Sequence, residues 1–207
     1  MGFYERRIFP FLLHHVMDNP ASESLRRIVL AEATGDVLEI GFGTGLSLQS
    51  YPDGIRSVNG IDPGLRLQRY GQSHNISAPE APERFGFEVA SAEALPFADA
   101  VFDCVVSMWT LCSVPDLARS LAEVRRVLRP SGAFFFIEHG LSRSRLAQRW
   151  QRAATPVWRI AAGGCHLDRP IADAIRATGF STVDLGYFTA QARGMVGDST
   201  VIGRATK

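Results

Sequence analysis

The sequence lacks an excess of charge of either sign. Its 22 lysines and arginines nearly balance 21 aspartates and glutamates, which leaves a formal net charge of +1 at pH 7. Proteins that neutralise the phosphates of duplex nucleic acid carry a clear excess of basic residues, so the composition gives no support for a nucleic-acid partner. The sequence also lacks an apolar run of transmembrane length and the uninterrupted apolar core of a signal peptide.

Cysteine is scarce. Cys104, Cys112 and Cys165 form neither a Cys-x-x-Cys pair nor the even set that a disulfide framework requires. We therefore expect reduced thiols and a cytoplasmic location, with Cys112 and Cys165 as buried apolar side chains rather than nucleophiles. Histidines, cysteines and acids do not recur at metal-ligand spacing, so no metal site is predicted.

The length and composition indicate one domain that spans residues 1–207. Hydrophobic residues make up 46% of the 207 residues, which is enough to bury a substantial core. Apolar runs of strand length alternate with helical patterns along most of the chain, which predicts an α/β fold with a doubly wound, mostly parallel sheet. The last two predicted strands, at 180–187 and 196–205, are joined without a helix. We therefore expect an antiparallel hairpin at the sheet edge.

The most informative stretch is a glycine-rich turn after the first predicted strand. The strand at 37–40 leads into Gly41-Phe42-Gly43-Thr44-Gly45, and a helix-like segment follows at 46–51. Glycines in such a turn let the backbone bend sharply and let a ligand approach main-chain N–H groups. We therefore expect Gly41, Phe42, Gly43 and Gly45 to contact a cofactor. Leu46 stands where a dinucleotide-binding turn has its third glycine.

Two acids narrow the choice of cofactor. Glu39 lies in the end of the first strand, where a carboxylate would repel a pyrophosphate but can pair with a ligand ammonium. Asp62 ends the second predicted strand, where a carboxylate can accept both ribose hydroxyls. Together with the turn, these acids favour S-adenosyl-L-methionine (SAM) over a nicotinamide dinucleotide. The alternative for each acid is a helix cap or an ion pair with an arginine.

Further candidates lie at the ends of other predicted strands. Pro63 follows Asp62, and Ala92 and Glu93 lie in a turn after the third strand, where adenine would bind if the turn is more than a surface loop. Ser107 ends the fourth strand and faces the crevice in which open α/β sheets bind ligands. His139 ends the fifth strand and is the candidate general base, against the alternative of a packing histidine.

The N-terminal segment is predicted to be helical and to cover the site. We interpret residues 1–34 as a helical lid or cap within the domain, with Pro10 separating two short helices near the start. The aromatic residues and arginines at 1–19 also allow a weak peripheral contact with a membrane. Near the other end of the chain, a helix at 141–158 is expected to break at Pro156, with Trp150 and Trp158 in the core or in a pocket wall.

The chain resembles the class I SAM-dependent methyltransferases over most of its length. The resemblance lies in the stretches 37–45, 60–62, 92–96, 102–107 and 127–130, with Gly132. It implies a seven-stranded sheet of order 3-2-1-4-5-7-6, SAM as cofactor and S-adenosyl-L-homocysteine as product. Ser91 departs from the pattern, because many relatives have an aspartate there that contacts the adenine amine.

Within that superfamily, the chain resembles the methyltransferase-like group that methylates alkyl thiols. The matching stretches are 111–114, 123–130, 132–134 and 138–139, Pro156-x-Trp158, and Gly164-Cys165 with Leu167 and Arg169. The resemblance favours S-methylation of a small lipophilic acceptor. The open alternatives are O- or C-methylation of a phenol or quinone precursor, N-methylation of a small lipid, a nicotinamide-dependent oxidoreductase and a non-catalytic SAM-binding module. The sequence leaves the oligomeric state unknown.

Overall fold

The protein is built around one seven-stranded sheet. The computed structural model describes residues 8–74, 84–188 and 199–207. The strands are β1 (Gly35–Ile40), β2 (Ile55–Asp62), β3 (Phe85–Val89), β4 (Phe102–Met108), β5 (Leu128–His139), β6 (Thr182–Phe188) and β7 (Thr200–Thr206). Their order across the sheet is β3-β2-β1-β4-β5-β7-β6. Strand β7 pairs antiparallel with both β5 and β6, whereas the other pairs are parallel. This confirms the predicted fold class and strand order.

Helices cover both faces of the sheet. They are α1 (Phe9–Met17), α2 (Pro20–Leu30), α3 (Leu65–Ser73), α4 (Leu117–Val127), α5 (Arg145–Ala161) and α6 (Ile171–Ala177). Successive strand residues point to opposite faces, so Leu38 belongs to a core with Leu121 and Ile175, while Val37 belongs to a second core with Val29. Among the helices of the described residues, none is both long and apolar enough to span a bilayer.

The strand order places a crevice beside β1. The chain runs outward from β1 through β2 to β3, and β4 and β5 then extend the sheet from the other side of β1. In open α/β sheets, ligands bind at the carboxyl ends of the strands where the order reverses in this way. The turn after β1 and the loop after β4 both lie at that point.

Two elements around this crevice differ from the sequence-based expectation. The segment after the glycine turn is a short 3₁₀ helix, Leu46–Ser50, which begins after Gly45 in the left-handed conformation at φ 82°. The sequence Arg129-Pro130-Ser131-Gly132 predicts a turn. These residues are instead part of β5, which begins at Leu128 and continues through Ser131 at φ 65°. A register shift between Phe102 and Cys104 absorbs the irregularity, so the strand is not interrupted.

Prolines interrupt the helices less than expected. Pro10 lies in the first turn of α1, where an N–H would lack a helical partner anyway, and the predicted preceding piece falls outside the described residues. Pro156 lies inside α5, which continues to Ala161. Pro156 and Arg152 are both exposed, so water can solvate the carbonyl of Arg152 that loses its helical partner. The predicted break at Pro156 is therefore wrong.

Candidate active site

A cavity of about 690 Å³ opens at the carboxyl ends of β1, β2 and β4. Its lining includes parts of the glycine turn, the ends of β2 and β5, the loop after β4, and residues of α1, α2 and α5. The predicted site residues among its lining are Glu39, Gly41, Phe42, Gly43, Asp62, Pro63, Ala92, Glu93 and His139. A smaller hollow of about 150 Å³ beside Ser142 and Tyr187 contains none of them.

The glycine turn requires glycine at specific points. Gly41 and Gly43 have φ values of 76° and 59°, in the left-handed region that side chains rarely adopt. A Cβ at Gly41 would collide with the side chain of Thr110, whereas the nearest atom to a Cβ at Gly43 would be a turn carbonyl at 3.8 Å. Gly43 therefore leaves open space at the cavity wall. Gly45 does not line the cavity. Its left-handed conformation turns the chain into the 3₁₀ helix that follows.

The N–H groups of the turn are bonded within the protein. Those of Gly41 and Phe42 donate to the Ile61 carbonyl at 2.9 and 3.0 Å, and that of Gly45 donates to the Phe42 carbonyl at 3.0 Å. A phosphate-binding turn instead points several free N–H groups at its ligand. The Phe42 ring packs against Gly60 and against Phe87 at 5.6 Å between ring centroids. The turn therefore contributes to the shape of the cavity and lacks the free N–H groups that would bind a pyrophosphate.

Glu39 is a buried carboxylate that faces the cavity. Its Oε2 accepts hydrogen bonds from the Ser47 hydroxyl at 2.8 Å and from the Tyr51 hydroxyl at 3.0 Å. Burial raises the pKa of Glu39 to about 7, and these hydrogen bonds together with the charge of Arg26 limit the rise. A buried acid of this kind is stabilised in its ionised form by a cation. The ammonium of an amino-acid ligand would supply one.

Asp62 is held at the end of β2 by backbone groups. Its two oxygens accept hydrogen bonds from the N–H of Gly43 at 3.3 Å and of Gly64 at 3.2 Å. Burial raises the pKa of Asp62, and the two backbone hydrogen bonds oppose that rise. The carboxylate therefore anchors the turn and also faces the cavity, where it could accept hydroxyl groups of a ribose.

Arg26 is a site residue that the sequence did not reveal. It lies on α2, is only 5% exposed, donates from Nη2 to the Met17 carbonyl at 2.9 Å and stacks over Trp109 at 5.4 Å. Burial lowers the pKa of Arg26, and the nearby Glu39 opposes that change. The spacing of Leu25, Ile28 and Val29 predicts one buried face of α2, but Ile28 is exposed. Identifying Arg26 requires knowing which side of α2 faces the protein. The sequence pattern does not determine this, because Arg26 lies directly beside the apolar residues of the helix.

The turn after β3 approaches the cavity, whereas Ser107 does not line it. Ala92 and Glu93 are cavity residues, and the Glu93 carboxylate accepts hydrogen bonds from the Ser91 hydroxyl and from the N–H of Asp116 at 3.0 Å. Ser107 is fully buried, and its hydroxyl donates to Glu138 Oε1 at 2.7 Å. The same oxygen accepts from the N–H of Thr110 at 3.2 Å, so Ser107 and Glu138 support the loop after β4.

Sulfur and imidazole groups gather at one part of the cavity. Cys112, His139 and Cys165 all line it, and the sulfurs of Cys112 and Cys165 are 3.4 Å apart. His139 Nδ1 is buried and has no hydrogen-bond partner among the described residues. Cys112 is buried but faces the cavity, and Cys165 is partly exposed. The expectation of a buried side chain is therefore confirmed for Cys112 and wrong for Cys165.

Helices α1 and α5 close over this part of the cavity. Phe9, Leu13 and Met17 line it from α1, and Trp158 lines it from α5. The Phe9 ring lies against Gly163, where a Cβ would collide with it. Trp158 is therefore a pocket-wall residue as predicted. The prediction for Trp150 is wrong, because its side chain is 57% exposed on the outer face of α5.

Comparisons with known proteins point to one kind of enzyme. Residues 38–136 match the methyltransferase domain family. The chain is 36% identical to the human thiol S-methyltransferase TMT1A over 156 residues, which cover 74% of this chain and 63% of that protein. It is 30% identical to the rat thiol S-methyltransferase TMT1B over 211 residues, covering 96% of this chain and 86% of that protein. A SAM-dependent methyltransferase from Mesorhizobium loti, 18% identical, superposes with a TM-score of 0.69, covering 92% of this chain and all (100%) of that one.

Proposed function

The chain belongs to the SAM-dependent methyltransferases, and from that premise we propose that it methylates the sulfur of small lipophilic thiols. The observation that carries this proposal is the acceptor end of the cavity, which we define by Cys112, His139, Trp158, Cys165 and helix α1. Its walls are largely apolar, and its ionisable side chains include two imidazoles, those of His14 and His139, and two thiols. The similarity to thiol S-methyltransferases supports the same acceptor class.

We assign the other end of the cavity to SAM. Bound SAM supplies an activated methyl group on a sulfonium. We propose that Glu39 holds the ammonium of its amino-acid portion, that Arg26 holds the carboxylate, and that Asp62 accepts the ribose hydroxyls. The cavity volume and the open space at Gly43 support this assignment. The internally bonded N–H groups of the glycine turn argue against the nicotinamide dinucleotide alternative.

The remaining predicted contacts complete the cofactor end. We propose that Ala92, Glu93 and Pro63 border the adenosine portion, since all three line the cavity near Asp62. Gly41, Phe42 and Gly45 act by shaping the turn, because their N–H groups bond within the protein. Ser107 acts indirectly, since its hydroxyl bonds Glu138 and does not line the cavity.

His139 is proposed to take the proton of the acceptor. His139 lines the cavity, and its buried Nδ1 has no hydrogen-bond partner among the described residues. A thiol needs little assistance, because a few per cent is already thiolate near neutral pH. A phenol needs a base. An imidazole side chain in the cavity lining therefore also favours a second candidate function, the O-methylation of a lipophilic phenol.

We propose that residues 1–34 act as a lid within a single domain of residues 1–207. Helix α1 lines the acceptor end through Phe9, Leu13 and Met17, and α2 contributes Arg26 at the cofactor end. One N-terminal segment therefore covers both ends of the cavity. Such a cover excludes water from the reacting groups, and its displacement would admit substrates.

The outer face of α5 is proposed to contact an anionic membrane surface, together with the exposed side of α1. Helix α5 buries Gln151 and Thr155 against the protein and exposes Leu146, Trp150, Val157 and Ile160. Four arginines of α5 flank this apolar face: Arg145, Arg149, Arg152 and Arg159. The chain has no acidic residue between Glu138 and Asp168. Helices with this combination of faces lie in the interface of anionic bilayers.

The proposed function is tested with acceptors that share one carbon skeleton. Benzyl thiol, benzyl alcohol and benzylamine differ in the acceptor atom, and 4-methylphenol extends the series to a phenol. Initial rates of S-adenosyl-L-homocysteine release should be highest with benzyl thiol. Turnover of the phenol with none of the thiol would establish the second candidate function instead.

A further inference from the structure

The two cysteines at the acceptor end are held together by backbone contacts. Their sulfurs lie 3.4 Å apart, although the residues are 53 positions apart in the sequence. The N–H of His166, the residue after Cys165, donates to the Cys112 carbonyl at 2.9 Å, and His166 Nδ1 lies 3.2 Å from the same oxygen. The loop after β4 and the turn after α5 are therefore fixed side by side. A disulfide bond, at about 2.05 Å, would require the sulfurs to approach by about 1.4 Å.

The two thiols differ in their affinity for a proton. The hydrogen bond with Cys112 lowers the pKa of Cys165, and the neighbouring His139 and Trp158 side chains lower it further. The same hydrogen bond with Cys165 and burial raise the pKa of Cys112. Of the two, Cys165 therefore gives up its proton more readily, and it is also the more exposed thiol. A thiolate beside a protonated thiol is the arrangement of an attacking and a resolving cysteine.

The pair also lies where a small molecule can reach it. Both residues line the cavity of about 690 Å³, and Cys165 is partly exposed. Cys104, the third cysteine, is buried in β4 and bonds the Thr34 carbonyl at 3.3 Å. We propose that Cys112 and Cys165 form a dithiol site that reacts with low-molecular-weight disulfides, the oxidised form of the proposed acceptors. The choice of ligand class rests on the proposed function, whereas the exchange chemistry does not.

The exchange proceeds in two balanced steps. The Cys165 thiolate attacks one sulfur of R–S–S–R, so that a Cys165–S–S–R bond forms as the R–S–S–R bond breaks and R–S⁻ departs. Cys112 then transfers its proton to a departing thiolate and attacks the Cys165 sulfur. The Cys112–Cys165 disulfide forms and the second R–S group leaves. One external disulfide is thereby reduced to R–SH and R–S⁻, and the cysteine pair is oxidised.

The released thiolate has a direct consequence for the proposed methylation. It is generated within the cavity that the acceptor end shares with the cofactor end. A disulfide would therefore serve as a source of acceptor in the absence of any other reductant. Each reduced protein molecule carries out this reaction once, until its own disulfide is reduced again.

The test uses the full chain, reduced and then freed of reductant, with dibenzyl disulfide, the oxidised form of benzyl thiol, as the probe. The wild-type protein should lose two hydrogen atoms in intact mass, and non-reducing peptide mapping should link the Cys112 and Cys165 peptides. Cys112→Ser should stop at a mixed disulfide on Cys165. Cys165→Ser should leave Cys112 unmodified. Cys104→Ala is the matched control and should behave like the wild type, while unfolded protein should react at all three cysteines.

Absence of the Cys112–Cys165 link in the folded wild type, with all three cysteines reactive after unfolding, would overturn the proposal. So would modification of Cys112 in Cys165→Ser at the wild-type rate. Adding SAM to the reaction separates this proposal from the proposed function. A link accompanied by benzyl methyl sulfide, at no more than two molecules per protein, supports both. A link without that product supports the dithiol site and contradicts thiol methylation.

Discussion

The Asp62 carboxylate accepts a hydrogen bond from the Gly43 N–H at 3.3 Å, so one acid both fixes the glycine turn and faces the cavity. Asp62→Ala removes both roles. We expect its SAM affinity to fall about 100-fold, the loss of roughly two hydrogen bonds to a charged group. Asp62→Asn keeps an oxygen that can accept from the Gly43 N–H, so its SAM affinity should fall less than that of Asp62→Ala. Isothermal titration measures the SAM affinity of each variant. Equal affinities of the wild type and Asp62→Ala would show that Asp62 does not bind the cofactor.

Arg26 provides a test with a matched neighbour. Arg26→Met should weaken SAM binding about 10-fold or more, because the carboxylate of the ligand would lose a charge-assisted hydrogen bond. Arg27→Met is the control, since Arg27 is exposed and pairs with Glu23 at 2.7 Å on the outer side of α2. Titration of both variants should show the loss in Arg26→Met alone. Similar affinities for the two variants would assign Arg26 a purely structural role.

Glu39 makes SAM binding depend on pH. Its pKa is raised to about 7 by burial, so ionisation of Glu39 as pH rises from 6 through 7 should strengthen binding of an ammonium. Above about pH 8 the α-amino group of the ligand loses its own proton, and affinity should fall again. The SAM affinity of Glu39→Gln should not rise between pH 6 and 7. A wild-type affinity that is constant between pH 6 and 7.5 would contradict the proposed ammonium contact.

Glu138 should limit stability at alkaline pH. Burial raises its pKa to about 7 from the ordinary 4.5, so the folded protein binds a proton that the unfolded chain has released between these values. This contribution to the free energy of unfolding therefore declines as pH rises from about 4.5 to 7. Glu138→Gln resembles the protonated acid, and its melting temperature should equal that of the wild type at pH 5 and exceed it at pH 8. Thermal unfolding of both proteins at pH 5 and pH 8 checks this prediction. If the two melting temperatures differ by the same amount at both pH values, ionisation of Glu138 is not involved.

His139 should matter more for phenols than for thiols. His139→Gln keeps a polar side chain but cannot act as a base, so turnover of 4-methylphenol should fall about 100-fold or more. Turnover of benzyl thiol should fall less, because part of it is already thiolate. Steady-state kinetics with both acceptors gives the two ratios. Identical losses for both acceptors would indicate that His139 supports the structure of the cavity rather than proton transfer.

The outer face of α5 can be tested with anionic lipid vesicles. Val157→Gln with Ile160→Gln should reduce cosedimentation several-fold, because these side chains are 74% and 82% exposed on the proposed contact face. Ile28→Gln is the control, because Ile28 is 63% exposed but belongs to α2 rather than α5. Cosedimentation should also fall with rising salt, since the flanking arginines contribute by charge. Equal binding by wild type and the α5 double variant would exclude this face.

The sequence predicted what depends on local pattern. Alternating apolar runs and helices predicted the fold class that the sheet confirms, and the glycine turn, Glu39 and Asp62 line one part of the cavity. Prediction from the sequence was wrong where the direction of a side chain depends on packing. Ser107 ends a buried strand, but its hydroxyl is bonded to Glu138, 31 residues away. Such partners follow from how β4 and β5 pair, and spacing along the chain does not reveal them.

Rotation of helices was the other missing information. Arg26 and Ile28 are two residues apart on α2, and the structure buries the arginine and exposes the isoleucine. Trp150 and Trp158 lie on one helix, and only Trp158 lines the cavity. The proximity of Cys112 to Cys165 depends on the turn after α5 reaching the loop after β4. Long-range packing determines each of these relationships.

The most direct measurement of the central claim is the mass spectrum of the product formed from benzyl thiol and SAM that carries a trideuterated methyl group. We expect benzyl methyl sulfide with all three deuterium atoms on its methyl group, and a loss of that product in Asp62→Ala. A protein that binds SAM but transfers the labelled methyl group to 4-methylphenol or benzylamine and never to benzyl thiol would contradict it.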